Sequence, residues 1–244
     1  MNVVFSFDDG RDDAYEAYLI LKKYRLVGSF HITTGFIDGS FNTEAFGVER
    51  KPVGIEQLVE MSNNGMDVSS HGDRHITDPD DFILSINKLS KFGIKKEKYG
   101  FSVPNSDYSK EEIELFTNSN KNVLSYIRVG RSSKCYTFIN KIHYVLYHLF
   151  HFQSSFNRFN KSNLLIDVNR YCINSLVVLS DIKAKNLINF IKKYKNTNST
   201  LVLMFHSIVP LPKNKWEYSS ADFEKICQFV SSNCKILTLE KLVS

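Results

Sequence analysis

Asn2-Val3-Val4-Phe5-Ser6-Phe7-Asp8-Asp9-Gly10 is the stretch from which the rest of the chain is read. Its first six residues are mostly β-branched or aromatic, too few for a buried helix, and they run into two carboxylates and a glycine, as a strand does when it leaves a core. After the turn, Asp13 to Tyr24 carries Tyr15, Tyr18, Leu19 and Leu21 at helical spacing. A strand without polar alternation is buried on both faces, so the pair reads as one βα unit of a parallel sheet.

The unit repeats along the chain. Strands are expected at Gly28 to Thr33, Met66 to Ser69, Tyr99 to Val103, Val123 to Val129, Thr200 to His206 and near Lys235 to Leu239, which with the first makes about seven. Helices are expected at Ile55 to Asn63, stopping before Gly65, at Phe82 to Phe92, stopping at Gly93, and at Ser220 to Asn233 with Phe223, Ile226, Phe229 and Val230 as its apolar set. The expected fold class is therefore α/β, with residues 1–244 as a single domain around one sheet or barrel. In such folds the working side chains sit at the carboxyl ends of strands.

Composition narrows the class. Of the 244 residues 43% are hydrophobic and 23% charged, values of a globular protein and too polar for a multi-spanning membrane protein. The opening run has neither a basic segment before it nor the length of a signal peptide, so the expected location is cytoplasmic. Cys135, Cys172, Cys227 and Cys234 show no metal or disulfide spacing and read as reduced thiols.

Three motifs lie at expected strand ends. Asp8-Asp9 places two carboxylates side by side, an arrangement eased when one binds a cation and the other handles protons. His71-Gly72-Asp73-Arg74-His75 spaces two imidazoles so that, were the segment a helical turn, both could share one metal. Asp9, His71 and His75 would make a face that leaves positions open for water and substrate. His206 ends an apolar strand and offers an imidazole suited to general acid work.

Ser6-Phe7-Asp8-Asp9-Gly10, His71 and His75 preceded by Asp67-Val68-Ser69-Ser70, and the Leu203 to His206 ending resemble three signature motifs of the polysaccharide deacetylase family, or NodB homology domain, in order and in separation. The resemblance implies a distorted (β/α)7 barrel. It also implies Asp8 as base, Asp9, His71 and His75 as metal ligands, and His206 as acid, acting on an N-acetylated sugar. The metal it implies is divalent, zinc first, with cobalt, nickel or iron accepted by the same donors.

Two features depart from the family pattern. Where the family carries an arginine that holds the base, this chain reads Phe101-Ser102-Val103-Pro104-Asn105, which leaves Ser102, Pro104 and Asn105 at the substrate side without a cation. Arg128 or Arg131 from the next strand end could replace it, or both could be ordinary surface charges. The acid and aromatic that tune the family's acid histidine have no evident counterpart, Asp167 and Asp181 being the nearest carboxylates to suggest.

The net charge of +5 is uneven, because no acidic residue occurs between Glu114 and Asp167. Around 132–162 the chain carries a basic, aromatic insertion: Tyr136, Ile139, Ile142, Leu146 and Leu149 at helical spacing, with His143, His148 and His151 interleaved and without carboxylate partners. Two readings stand here, an interfacial helix touching anionic lipid, which would suit a lipid-linked sugar at the inner membrane face, or a barrel helix packing inward. No nucleic-acid motif accompanies the charge.

Rival functions use the same residues. His71, Asp73 and a distant histidine would fit the facial triad of an iron oxygenase, although such triads commonly ride on all-β folds. A catalytically inactive carbohydrate-binding barrel, or a hydrolase of another C–N bond such as a formamide or cyclic amide, completes the alternatives.

Overall fold

A computed structural model describes residues 1–41, 51–106, 108–130 and 137–244. Seven parallel strands close a barrel: β1 (Asn2–Phe7), β2 (Ser29–Ile32), β3 (Asp67–Ser70), β4 (Tyr99–Ser102), β5 (Leu124–Gly130), β6 (Ile173–Val177) and β7 (Thr200–Phe205). Each pairs with the next, and β7 returns to β1 along its whole length, from Asn2 beside Thr200 to Phe7 beside Phe205. The fold is the distorted (β/α)7 barrel.

The distortion has a local origin. One edge of β1 is shared: Ser6 and Phe7 pair with β2, while Asn2 and Val3 pair with Lys235–Ile236. On the far side Leu164–Leu165 runs antiparallel to the start of β7, below its short pairing with β6. Two short segments thus fill gaps at the amino-terminal end of the barrel, and the carboxyl end stays open.

The strand count agrees with expectation, but its membership does not. Ile173–Val177 supplies the sixth strand, hidden in sequence by Asn174 and Ser175 within only five residues. Lys235 and Ile236 extend for two residues outside the ring, because Thr238 accepts from the Lys241 amide (3.2 Å) and starts a helical turn, Leu239–Val243.

Outside the barrel run α1 (Asp13–Lys23), α2 (Ile55–Asn63), α3 (Pro79–Lys91), α4 (Lys110–Asn120), α5 (Phe138–Phe150), α6 (Gln153–Asn160), α7 (Ala184–Tyr194) and α8 (Ser220–Asn233). α1 buries Ala14, Ala17, Tyr18, Ile20 and Leu21, and leaves the expected Leu19 at the surface. α3 begins before Phe82 because Asp78 caps it, accepting from the Asp81 amide, and Pro79 has no amide hydrogen to leave unsatisfied there. From α8, Phe223 meets Phe5, Phe7 and Phe205 edge-on at 5.2–5.8 Å, sealing β1 and β7 on the outside.

Inside, the lower barrel is polar. Asp67 is fully enclosed and accepts from Ser29 (2.9 Å), Ser69 (2.7 Å), Tyr126 (2.6 Å) and Lys96 (2.6 Å). Burial pushes its carboxyl up, but Lys96, then Tyr126 and Ser69, bring it down to about 2. Tyr126 reaches this centre across Gly100, where a side chain would put Cβ 2.0 Å from the ring. From Tyr126 the network climbs to the open end, since its hydroxyl lies 3.0 Å from His31 Nε2.

Candidate functional site

The open end begins with Asp8 and Asp9. The Asp8 amide donates to Phe205 of β7 (3.1 Å), and then Asp9 and Gly10 take φ of 77° and 81°. This left-handed pair splays the two carboxylates apart, at a cost of about 1–3 kcal/mol for the non-glycine residue, a strain that clusters where function demands it. Asp8 turns toward β4 and β5, and Asp9 toward the loop after β3.

That loop is not helical. His75 has φ of 58°, and the turn is held by Asp81 at the start of α3, which accepts from the amides of Asp73 (2.7 Å) and Arg74 (3.1 Å). The expected helical spacing is replaced by a pinned loop with the same result. His71 Nε2 lies 3.6 Å and His75 Nε2 3.7 Å from Asp9 Oδ1, with the rings 4.7 Å apart.

These three donors fit a metal. All lie within 4.8 Å of one another, too far for hydrogen bonds and close to the ~3.4 Å between neighbouring ligands of a tetrahedral zinc. His71 Nδ1 is 2.8 Å from the Ser102 carbonyl, so the proton sits on Nδ1 and the lone pair of Nε2 faces Asp9. Burial pushes His71 down to about 3 and lowers His75 as well, keeping both imidazoles neutral, as ligation requires. Among the described residues this is the one such cluster of three.

Arg11, not anticipated from sequence, completes the arrangement. Its Nη2 lies 2.7 Å from Asp9 Oδ2 and its Nη1 donates to Ser207 (3.2 Å), so one Asp9 oxygen is engaged and the other is aimed at the histidines. A charged residue directly after Asp8-Asp9-Gly10 was the available signal.

Asp8 has a different environment. Arg128 is completely buried, and its Nη2 touches both Asp8 oxygens and the Ser102 hydroxyl, while Ser102 itself reaches Asp8 at 3.2 Å. Ser102 and Arg128 are register partners on β4 and β5, so the guanidinium stands one strand sideways from the position where the family motif has it. His31, a second unanticipated residue, lies 3.5 Å from Asp8. Burial would raise the Asp8 pKa, but Arg128, then His71 and His31, hold it well below the usual carboxylate range.

His206 follows β7, its imidazole against the single tryptophan, Trp216, with ring centres 4.7 Å apart. The segment carrying Trp216 folds back by pairing 217–219 with 207–209 and through a bond from the Ser180 amide to Lys215 (3.0 Å). Burial lowers the His206 pKa, and the charges of Asp9 and Asp8 oppose that. Neither suggested carboxylate serves His206: Asp167 is exposed, and Asp181 pairs with His148 on α5. The expectation that the α5 histidines lack a carboxylate partner is thereby corrected.

Pro104 is buried beneath the rim, and Asn105 is exposed with φ of 55°. Arg131 lies outside the described residues. Asp73 accepts from Thr34 (2.8 Å) and pairs with Lys88 (2.8 Å). Its carboxylate is engaged away from the histidines, which removes the oxygenase triad.

No curated protein matches the chain. In structure it is similar to a family 4 acetyl xylan esterase from Clostridium thermocellum in complex with cobalt, at TM-score 0.54 and 15% identity over 99% of this chain and 90% of that one. A mutant of a CE4 family pseudoenzyme with restored activity gives 0.53 and 11%, over 99% and 67%. The catalytic domain of a peptidoglycan N-acetylglucosamine deacetylase from Eubacterium rectale gives 0.50 and 12%, over 97% and 87%. These likenesses concern the fold. The family model described as polysaccharide deacetylase matches residues 1–137, the part that contributes Asp8, Asp9, His71, His75 and Arg128, and on that match the chain belongs to the polysaccharide deacetylase family.

Proposed function

We propose that this chain is a metal-dependent hydrolase that removes the N-acetyl group from an amino sugar of a cell-surface polysaccharide or its glycolipid precursor. One observation carries the reading: adjacent carboxylates have opposite duties, Asp9 converging on two neutral imidazoles while Asp8 is withheld by Arg128 and Ser102. Asp9, His71 and His75 would hold a divalent cation, with zinc, cobalt, nickel or iron all compatible, and when bound it would supply polarisation of an amide carbonyl and a lowered pKa of water.

The chain's own groups supply the proton traffic. Asp8 stays ionised at neutral pH and can take a proton from the attacking water. Arg128 and Ser102 hold its carboxylate in place, so its orientation need not be established at each turnover. His206, oriented by Trp216, carries a proton to the departing nitrogen, leaving acetate and a free amine. The inactive-barrel alternative drew its support from the missing arginine at position 102, and Arg128 supplies that charge from the neighbouring strand.

The test pairs metal analysis with product analysis. Wild type and His75→Ala are dialysed metal-free and given one equivalent of zinc. Wild type should retain about one ion per chain and the variant far less. Loaded wild type should release acetate from N-acetylated sugars, and Asp8→Asn should retain metal but lose that activity. Formate from N-formyl sugars in place of acetate would redirect the reading to another C–N bond, and absence of metal from wild type would refute it.

A further inference from the structure

Helix α5 is built inside out. Its polar and ring-bearing side faces the protein: Tyr147 is buried, Asn140, His143 and His148 are half-buried, His148 pairs with Asp181, and the Tyr147 hydroxyl meets the Asp181 carbonyl (3.3 Å). Its apolar side faces water. Phe138, Ile142, Val145, Leu149 and Phe150 are all exposed, Phe138 by 78% and Leu149 by 67%, and Phe152 continues the patch. At 100° per residue these five positions on α5 span roughly 140° of one helix face. A contiguous patch of large apolar side chains on a water-facing surface marks an interaction site.

Charge and placement identify the partner. No acidic residue occurs from 115 to 166, Lys141 is exposed on α5 itself and Arg158 and Lys161 are exposed on and just after the helix that follows, while Asp181 is engaged by His148, so this stretch of chain offers exposed apolar and basic side chains without acidic ones. Thirteen residues make a helix of about 20 Å, short of the ~30 Å hydrocarbon layer, and no described helix is long and apolar enough to cross a membrane. Such a helix lies in the interface rather than spanning it. Asp181, its anchor, belongs to the loop after β6 whose Ser180 amide holds Lys215 and hence Trp216 against His206. The helix is therefore attached to the rim of the candidate site.

We infer that α5 seats the open end of the barrel on an anionic lipid bilayer and that the acetylated sugar presented there is attached to a lipid. The lipid-attached substrate rests on the deacetylase reading above; the docking does not.

The experiment is co-sedimentation of the full chain with vesicles of phosphatidylcholine alone or mixed with phosphatidylglycerol. Wild type should sediment with the mixed vesicles at about 0.02 M salt, much less at about 0.5 M, and hardly with phosphatidylcholine alone. The triple variant Phe138→Ser, Ile142→Ser, Leu149→Ser should partition about tenfold or more weakly with an unchanged melting temperature, since all three side chains are already exposed. Lys141→Glu, Arg158→Glu, Lys161→Glu should lose the salt-sensitive part. Wild type that stays in the supernatant at low salt, a serine variant that binds as well as wild type, or light scattering that finds the patch joining two copies without lipid would each overturn the docking. Acetate release from soluble N-acetylated sugars, assayed separately, keeps the two failures apart: docking without hydrolysis sinks the function and the lipid-attached substrate that rests on it but leaves the docking, and hydrolysis without docking sinks only this inference.

Discussion

Removing the Arg128 side chain with Arg128→Leu should expose how much of the site is held by one buried charge. Arg128 is fully enclosed and Asp8 is 3% exposed, so neither can turn to solvent when its partner is lost. Breaking such a pair from one side costs about 3–5 kcal/mol, because an uncompensated carboxylate stays behind. For a urea slope of about 3 kcal/mol/M, that moves the unfolding midpoint down by roughly 1–1.7 M. Burial then dominates Asp8, opposed only by His71 and His31, and its folded pKa rises above the unfolded value. The sign follows: an acid bound to its proton more tightly when folded loses stability as pH rises, so the deficit should be largest near neutrality and shrink toward pH ~4. Adding Asp8→Asn removes the orphaned charge, so the double variant should be more stable than the two single losses sum to. Urea titrations followed by circular dichroism, with a chelator present to exclude ligand stabilisation, supply the whole cycle. A single-variant loss below about 1 kcal/mol, or strict additivity in the cycle, would refute the account of Arg128 as the holder of Asp8.

Other perturbations reach different layers. Asp67→Asn should flatten the acid limb of the stability curve: the wild-type carboxyl is depressed to about 2, so its contribution is complete above pH ~4 and about 2 kcal/mol of it disappears as pH falls to 2, which thermal melts across that range would measure. Gly100→Ala drives a Cβ into the Tyr126 ring and should cost about 3 kcal/mol, read as a fall in Tm of roughly 6–12 °C for a chain of this size. Arg11→Met frees the Asp9 oxygen now engaged and should weaken zinc binding by about 10–100-fold in competition with a chromophoric chelator, with the fold unchanged by circular dichroism.

Much of this arrangement was legible beforehand because the relevant signals are local. The run from Asn2 to Phe7 is buried on both faces and could hardly be anything but a parallel strand, and Ser220 to Asn233 has its helical bounds written in its spacing. Asp8, Asp9, His71 and His206 lie at or just beyond strand ends, where the fold class directs attention. What escaped reading depends on distance in sequence. Arg128 could be named beforehand as one of two candidates to hold Asp8, but nothing around it chooses it over Arg131, since its place opposite Ser102 is made by register between two strands, and Trp216 reaches His206 only because a loop folds back. His75 was expected on a helical turn because the spacing allows it, and the structure reaches the same convergence through a left-handed residue pinned by Asp81. For α5 the periodicity was visible but its direction was not, since a helical stripe does not say which side meets the protein.

The closure of β1 against β7 has a consequence for how the molecule comes into being. Asn2 and Thr200 are joined across 198 residues, whereas β1, β2 and β3, which carry Asp9 and the histidine loop, are consecutive in sequence. Contacts between such distant segments form late, after the entropy of a long loop has been overcome. During synthesis the three side chains of the candidate metal cluster are complete by residue 75, while Arg128 and His206 arrive only with later strands. Asp8 and the cluster of Asp9, His71 and His75 can thus come together early, whereas Arg128, which holds Asp8, and His206 across from it join only as the ring shuts.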